Sequence, residues 1–177
     1  MRDSSDQVLL ASPGATRAAR LRRWVFVVIP VLAILFQVYV PLFVQFLSYL
    51  ELPLLVTVYF ALLRRGPISG MFIGAAIGLV QDSLSHQPLG MFGIVKTLVG
   101  YFAASVGMRF DVEHVVIRFL LGFFFFFFHQ FFYWVLARAL LGQQTLFDLR
   151  LTFLVGLLNA LVAISLFHIL DKLKERT

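Results

Sequence analysis

The stretch GPISGMFIGAAIGLVQD, residues 66–82, places Gly66, Gly70, Gly74 and Gly78 four residues apart and ends on Asp82. Pro67 suits the first turn of a helix, where its missing N–H costs nothing. Residues four apart share one helix face, and each step of four drifts about 40° round a 3.6-residue turn, so the stripe winds. In lipid, small residues at this spacing let a neighbouring backbone approach closely, held by dispersion and weak hydrogen bonds. The apolar segment that follows has its own small face, Gly93, Gly100, Ala103 or Ala104, and Gly107, with Lys96 on it. The expectation is a hairpin of two close-packed helices, each face holding one ionisable residue.

The composition around this hairpin is that of a membrane protein. Of 177 residues, 60% are hydrophobic before the 12 glycines are counted, 14% are charged, and mean hydropathy is +0.92. Soluble domains run at roughly 45–50% apolar with glycine included and about 25% charged. An ordinary soluble globule and extensive disorder are therefore excluded. A span needs about 20 mostly apolar residues, so the chain accommodates six short spans with tight loops and no separate soluble domain. The absence of cysteine excludes disulfides, thiol catalysis and Cys-ligated metals.

The apolar runs place the spans at 24–44, 52–65, 67–84, 89–107, 119–140 and 149–170. Pro41 and Pro53 bracket the first turn, and Glu51 is the one charge between Trp24 and Leu63. The second span is short, and Arg64 and Arg65 extend its reach by snorkelling. Residues 1–23 read as a basic, flexible cytoplasmic tail, 24–171 as a six-helix membrane domain, and 172–177 as a basic cytoplasmic stub. The apolar region after the tail is too long for a signal peptide and shows no small-residue cleavage site.

Charge distribution tests this count. A net charge of +6 could point to nucleic acid, but the basic residues sit in short clusters between apolar runs, not on one polar face. With the N-terminus inside, 12 of the 15 Lys and Arg fall on the cytoplasmic side, which fits the positive-inside bias and puts both termini in the cytoplasm. Arg138 and Arg150 fall outside, and Lys96 lies within a span. The fold class is thus all-α: a polytopic integral membrane protein with six transmembrane helices.

Intramembrane charges are costly and mark functional positions. Asp82 and Lys96 are read as a charge pair locking the hairpin, the lysine stem bridging a difference in depth. No catalytic triad or dyad is spaced for chemistry. His86, His114, His129 and His168 share no metal-ligand spacing on one face, so no metal site or cofactor is expected. His129, Gln130 and Asn159 read as hydrogen-bonding groups between helices. The run Phe123, Phe124, Phe125, Phe126, Phe127 and Phe128 has no polar side, and is expected to face lipid or a partner transmembrane helix. Tyr133, Trp134 and Arg138 fit an interfacial anchor.

From Leu52 to Tyr101 the chain carries Leu52-Pro53, Tyr59, Ala61 to Pro67 with Arg64-Arg65-Gly66, the glycines 70, 74 and 78, Gln81-Asp82, Pro88-Leu89-Gly90, and Lys96 to Gly100-Tyr101. This segment resembles the rod shape-determining protein MreD family. It departs at Ser85-His86-Gln87-Pro88, where the family usually has a glycine pair, in its longer basic tail and in the Phe run. The resemblance implies a non-enzymatic, multi-pass subunit of the bacterial cytoplasmic (inner) membrane that acts in cell elongation. It implies the partners MreC, the MreB filament, the elongation transpeptidase and RodA, with membrane lipid around it and no nucleic acid. It also implies a six-helix architecture similar to the substrate-binding subunits of ECF-type vitamin transporters. A small-molecule-binding subunit of such a transporter is the alternative; it requires convergent polar groups round a cavity, and Gln37, Gln81, Asp82, Lys96, His129 and Asn159 are scattered in sequence.

Overall fold

The structure is a computed structural model that describes residues 24–64, 66–85, 88–110, 112, 114–144 and 146–174. The tail 1–23 and residues 175–177 of the stub lie outside the described residues, as do Arg65, His86, Gln87, Asp111 and Glu113. Among the described residues the fold is all-α: α1 (Val25–Tyr39), α2 (Leu52–Arg64), α3 (Pro67–Leu84), α4 (Met91–Gly107), α5 (Val115–Leu141) and α6 (Leu149–Asp171). Two 3₁₀ turns, Val40–Leu42 and Gln45–Tyr49, link α1 to α2. Five segments are long and apolar enough to cross a membrane: Val25–Leu42, Gln45–Arg64, Pro67–Leu84, Val115–Leu141 and Leu149–Asp171. The sixth helix, Met91–Gly107, is apolar but shorter.

α2 is the central post. Every residue from Pro53 to Leu62 is buried, and α2 packs against all five other helices. A hydrophobic helix with no polar face is stable only when surrounded, and Leu54, Leu55, Val58, Phe60 and Ala61 lose all exposure here. The price is length. Thirteen residues rise about 20 Å, against a hydrocarbon core of about 30 Å. The chain therefore covers the remaining depth in non-α form, through the turn Gln45–Tyr49 and the extended Leu50.

Non-helical backbone at membrane depth must find partners within the protein. Asn159, near the middle of α6 and fully buried, supplies them. Its Oδ1 accepts from the Glu51 N–H at 2.8 Å, and its Nδ2 donates to the Tyr49 carbonyl at 2.8 Å and to its own Val155 carbonyl at 3.0 Å. The sequence reading placed Asn159 between helices; its partners are the backbone of this break.

At the opposite end of α2, Asp171 gathers three donors. Tyr59 donates its hydroxyl to Oδ1 at 2.9 Å, Lys174 Nζ lies 2.6 Å from Oδ1, and Arg118 pairs with Oδ2. Arg118 also donates from Nε to the Val112 carbonyl at 2.9 Å. The contact ties α2, α5 and α6 together. The expected fifth span, 119–140, begins just after Arg118; α5 begins earlier, at Val115, and buries Arg118 in its first turn.

Asn159→Ala leaves the Glu51 N–H and Tyr49 carbonyl without partners, at a cost of about 1–3 kcal/mol. A lower melting temperature in mild detergent is expected, with Ser48→Ala, at an exposed position, nearly unchanged; equal melting of the two variants contradicts this role for Asn159.

Candidate functional site

The tightest contact in the bundle joins α3 to α4, backbone on backbone. A Cβ at Gly70 would overlap the Gly100 carbonyl oxygen and lie 2.8 Å from the Ala104 Cβ. One at Gly74 would overlap the Lys96 carbonyl and lie 2.6 Å from its carbon. One at Gly78 would lie 2.6 Å from the Phe92 carbonyl carbon and 2.7 Å from the Gly93 Cα. In these three places no side chain fits, and the carbonyls of α4 rest on the Cα atoms of α3. Gly100 meets Gly70 in return, and Gly107 approaches α2 instead, where a Cβ would lie 2.6 Å from the Leu62 carbonyl oxygen. A Cβ at Gly93 would lie 2.9 Å from the Leu79 side chain.

Gly66 is outside this contact, contrary to the sequence reading. It precedes α3 in an extended conformation, and a Cβ there would meet only Ser69 Oγ of its own turn, at 3.5 Å. A second small-residue contact, Gly122 of α5 on Ala163 and Ala160 of α6, carried no repeat that would have marked it in the sequence.

The close approach brings Asp82 under the first turn of α4. Its Oδ2 accepts from the N–H groups of Gly90 (3.0 Å) and Gly93 (2.9 Å), and its Oδ1 from Phe92 (3.1 Å). The first N–H groups of a helix have no partner within it and carry the positive end of its dipole, so a carboxylate is stabilised there. Asp82 is thus a cap contributed by the preceding helix. Gly90, at φ +95°, gives the turn that aims its N–H back at the carboxylate.

The expected Asp82–Lys96 ion pair is absent. Lys96 sits more than a turn further into α4, fully buried, while the carboxylate is held at the helix start by three N–H donors. The Lys96 Nζ lies 3.4 Å from His129 Nε2 and 4.4 Å from the centroid of the Phe92 ring. An ammonium has only donors, so His129 accepts at Nε2. The Phe92 face adds a cation–π attraction, and His129 stacks parallel to Phe92 at 6.0 Å. The electrostatic attraction on Lys96 comes from Glu51 and then Asp82.

Glu51 is the residue that sequence reasoning missed as a site. It was read as a charge in the turn between two spans, and the structure sets it at the level of Asn159, inside the bundle. The signal was there in the shortness of the second span, which cannot reach the surface as a helix. Lys96 of α4 touches His129 of α5 and feels the charges of Glu51, just before α2, and Asp82 of α3, so these four form one polar centre.

The Phe run does not form one face. Six consecutive residues at 100° each pass more than once round the helix. Phe125 and Phe126 are fully buried, Phe123, Phe127 and Phe128 are half-buried, and Phe124 points outward. Phe123 packs on Phe153 of α6 and Phe128 on Phe102 of α4, at centroid distances of 5.5 and 5.3 Å. Among the described residues no group of three His, Cys, Asp or Glu is placed to hold a metal ion.

The family model of the rod shape-determining protein MreD matches residues 18–176, and the chain belongs to that family. No curated protein and no solved structure matches it.

Two predictions follow from this geometry. Gly74→Ala drives a methyl group into the Lys96 carbonyl and should greatly lower the yield of folded protein, whereas Gly66→Ala should leave it unchanged; similar yields would refute the close-packing account. Exchanging the charges, Asp82→Lys with Lys96→Asp, should be as damaging as Asp82→Lys alone in melting temperature, because a lysine cannot accept the three N–H groups; recovery in the double variant would restore the ion-pair reading.

Proposed function

We propose that this MreD-family chain is a non-catalytic scaffold subunit of the bacterial cell-elongation complex, embedded in the cytoplasmic membrane with both ends on the cytoplasmic side. The observation that carries the reading is the family match across residues 18–176. The bundle adds support from its own physics. Its ionisable centre is engaged in joining helices, with Asp82 spent on capping α4 and Lys96 enclosed by Phe92 and His129. Its connections are short, so contacts with partners are made chiefly through transmembrane surface. The end bearing Arg64, Arg109, Arg118, Lys172 and Lys174 is the cytoplasmic one by the positive-inside bias.

In this role the subunit holds MreC, the elongation transpeptidase and RodA in register within the membrane, above the MreB filament, and contributes to cell shape and lateral peptidoglycan insertion. The tight α3–α4 pair and the buried α2 make it a stiff body whose outer faces keep a fixed relation to one another, as a positioning element requires.

The test is a pull-down of tagged chain from its native membrane in mild detergent, with partners identified by mass spectrometry. Near-equal recovery of MreC, the transpeptidase or RodA is expected. Recovery of an ATPase with a coupling subunit in their place would make the chain a transport component and overturn the scaffold reading.

A further inference from the structure

Lys96 of α4 and His129 of α5 are both buried, and Nζ lies 3.4 Å from Nε2. The scaffold reading uses this contact only to join two helices. Its protonation chemistry allows more. An ammonium only donates, so Nε2 accepts and the imidazole carries its hydrogen on Nδ1. Nδ1 is shielded from solvent and has no hydrogen-bond partner. Lysine and histidine thus hold one positive charge between them. A second proton has one place to go, Nε2, whose lone pair holds Lys96. Once it binds there, two cations face each other and the hydrogen bond is lost.

The surrounding groups do not take up that second charge. From α3, Asp82 is engaged by three N–H groups at the start of α4. From the break before α2, Glu51 attracts Lys96 without forming an ion pair. On α2 itself, Tyr59 is bonded to Asp171 and Arg64 lies in the last turn. On α4, Tyr101 is exposed. On α5, Tyr133 stacks near His129 at 6.4 Å, and Arg118 and Arg138 lie towards the two ends. α6 carries its titratable groups at its ends, Asp148 and Arg150 at the start, His168 and Asp171 at the finish.

The contact sits at the loosest joint of the two helix pairs. α3 and α4 meet backbone on backbone, and Gly122 of α5 packs on Ala160 and Ala163 of α6. The glycines of α4 face α3 and α2, so the seam between α4 and α5 is made by side chains. Phe92 stacks on Tyr133 at 5.2 Å and Phe102 meets Phe128 at 5.3 Å, with Lys96 and His129 between them. A cavity of about 350 Å³ lined by Gln130, Tyr133, Gln143 and Asp148 comes within one turn of His129. It is polar and roomy enough for water, which carries protons.

We propose that Lys96 and His129 form a proton-operated latch between the α3–α4 and α5–α6 pairs. With His129 neutral the latch is closed, and the bundle is the stiff body that the scaffold role uses. A proton on Nε2 opens it, and the two pairs part along the side-chain seam. Histidine is the side chain suited to this, because its charge changes between about pH 5 and pH 8, and buried histidines switch interfaces in the same way elsewhere. The proposal does not rest on the scaffold role.

The chain has no cysteine, so spin labels go only where cysteines are introduced. One label pair, on Ile94→Cys of α4 and Leu154→Cys of α6, reads across the seam. A second, on Phe72→Cys of α3 and Tyr101→Cys of α4, reads within one pair; all four positions are exposed. Distances are measured by pulsed electron resonance on the full chain in lipid nanodiscs, from about pH 7.5 to about pH 5. The α4–α6 distance should lengthen as pH falls, and the α3–α4 distance should stay. His129→Gln, whose amide oxygen accepts from Lys96 but takes up no proton, should hold the closed distance throughout. A chain with His86, His114 and His168 all changed to Gln should keep the full response, and either variant carries the test if the other does not fold. An α4–α6 distance that ignores pH, an equal change in the α3–α4 pair, an unchanged response in His129→Gln, or no response with His129 as the sole histidine would each overturn the latch.

Discussion

The backbone contact between α3 and α4 is the constraint on which the polar interior rests. Three glycines of α3 admit three carbonyls of α4, and at this distance any side chain forces the helices apart. Without a hydrophobic force between helices in lipid, close dispersion contact over a long seam is what holds them. The seam also fixes where Asp82 points. One turn past the last glycine of the stripe, its carboxylate lies under the free N–H groups of α4 and nowhere else. The same seam turns Lys96 away from α3, into the bundle towards His129 and Phe92.

The second dependence runs through α2. A central helix buried on every side needs its neighbours close, and a short one needs the chain to bridge the missing depth. The break before Leu52 does this, and it survives because Asn159 takes up both a donor and an acceptor from it. At the other end the Asp171 contact joins α2 and α6 again, now with α5, through charge-assisted bonds. α2 is thus held at one end by an amide and at the other by a carboxylate, both contributed by α6.

Much of this was legible in the sequence. The four-residue glycine spacing and the apolar runs depend only on local periodicity, and they place six helices and the α3–α4 seam. What was not legible depends on depth. Asp82 and Lys96 look like partners in one dimension, because opposite charges on adjacent helices invite pairing; the pull of the free N–H groups at the start of α4 is stronger and appears only when the turn through Gly90 is seen. Glu51 looked like a loop charge because a helix start was taken for a membrane surface. The Phe run looked like a face because its composition is uniform, although helical geometry distributes six consecutive residues all round. Gly66 shares the spacing of the stripe but precedes the helix that gives the spacing meaning.

The balance of charge in the interior connects these features. Asp82 is held by three N–H dipoles and attracts Lys96 less than Glu51 does. Lys96 is then the cation of a centre whose remaining anion is Glu51, and the two attract without touching. An intramembrane charge costs about 3 kcal/mol on insertion scales, and two unpaired ones in a stable bundle call for compensation. Lys96 receives it from an imidazole and an aromatic face. Glu51 receives none at Oε2 and borders a cavity.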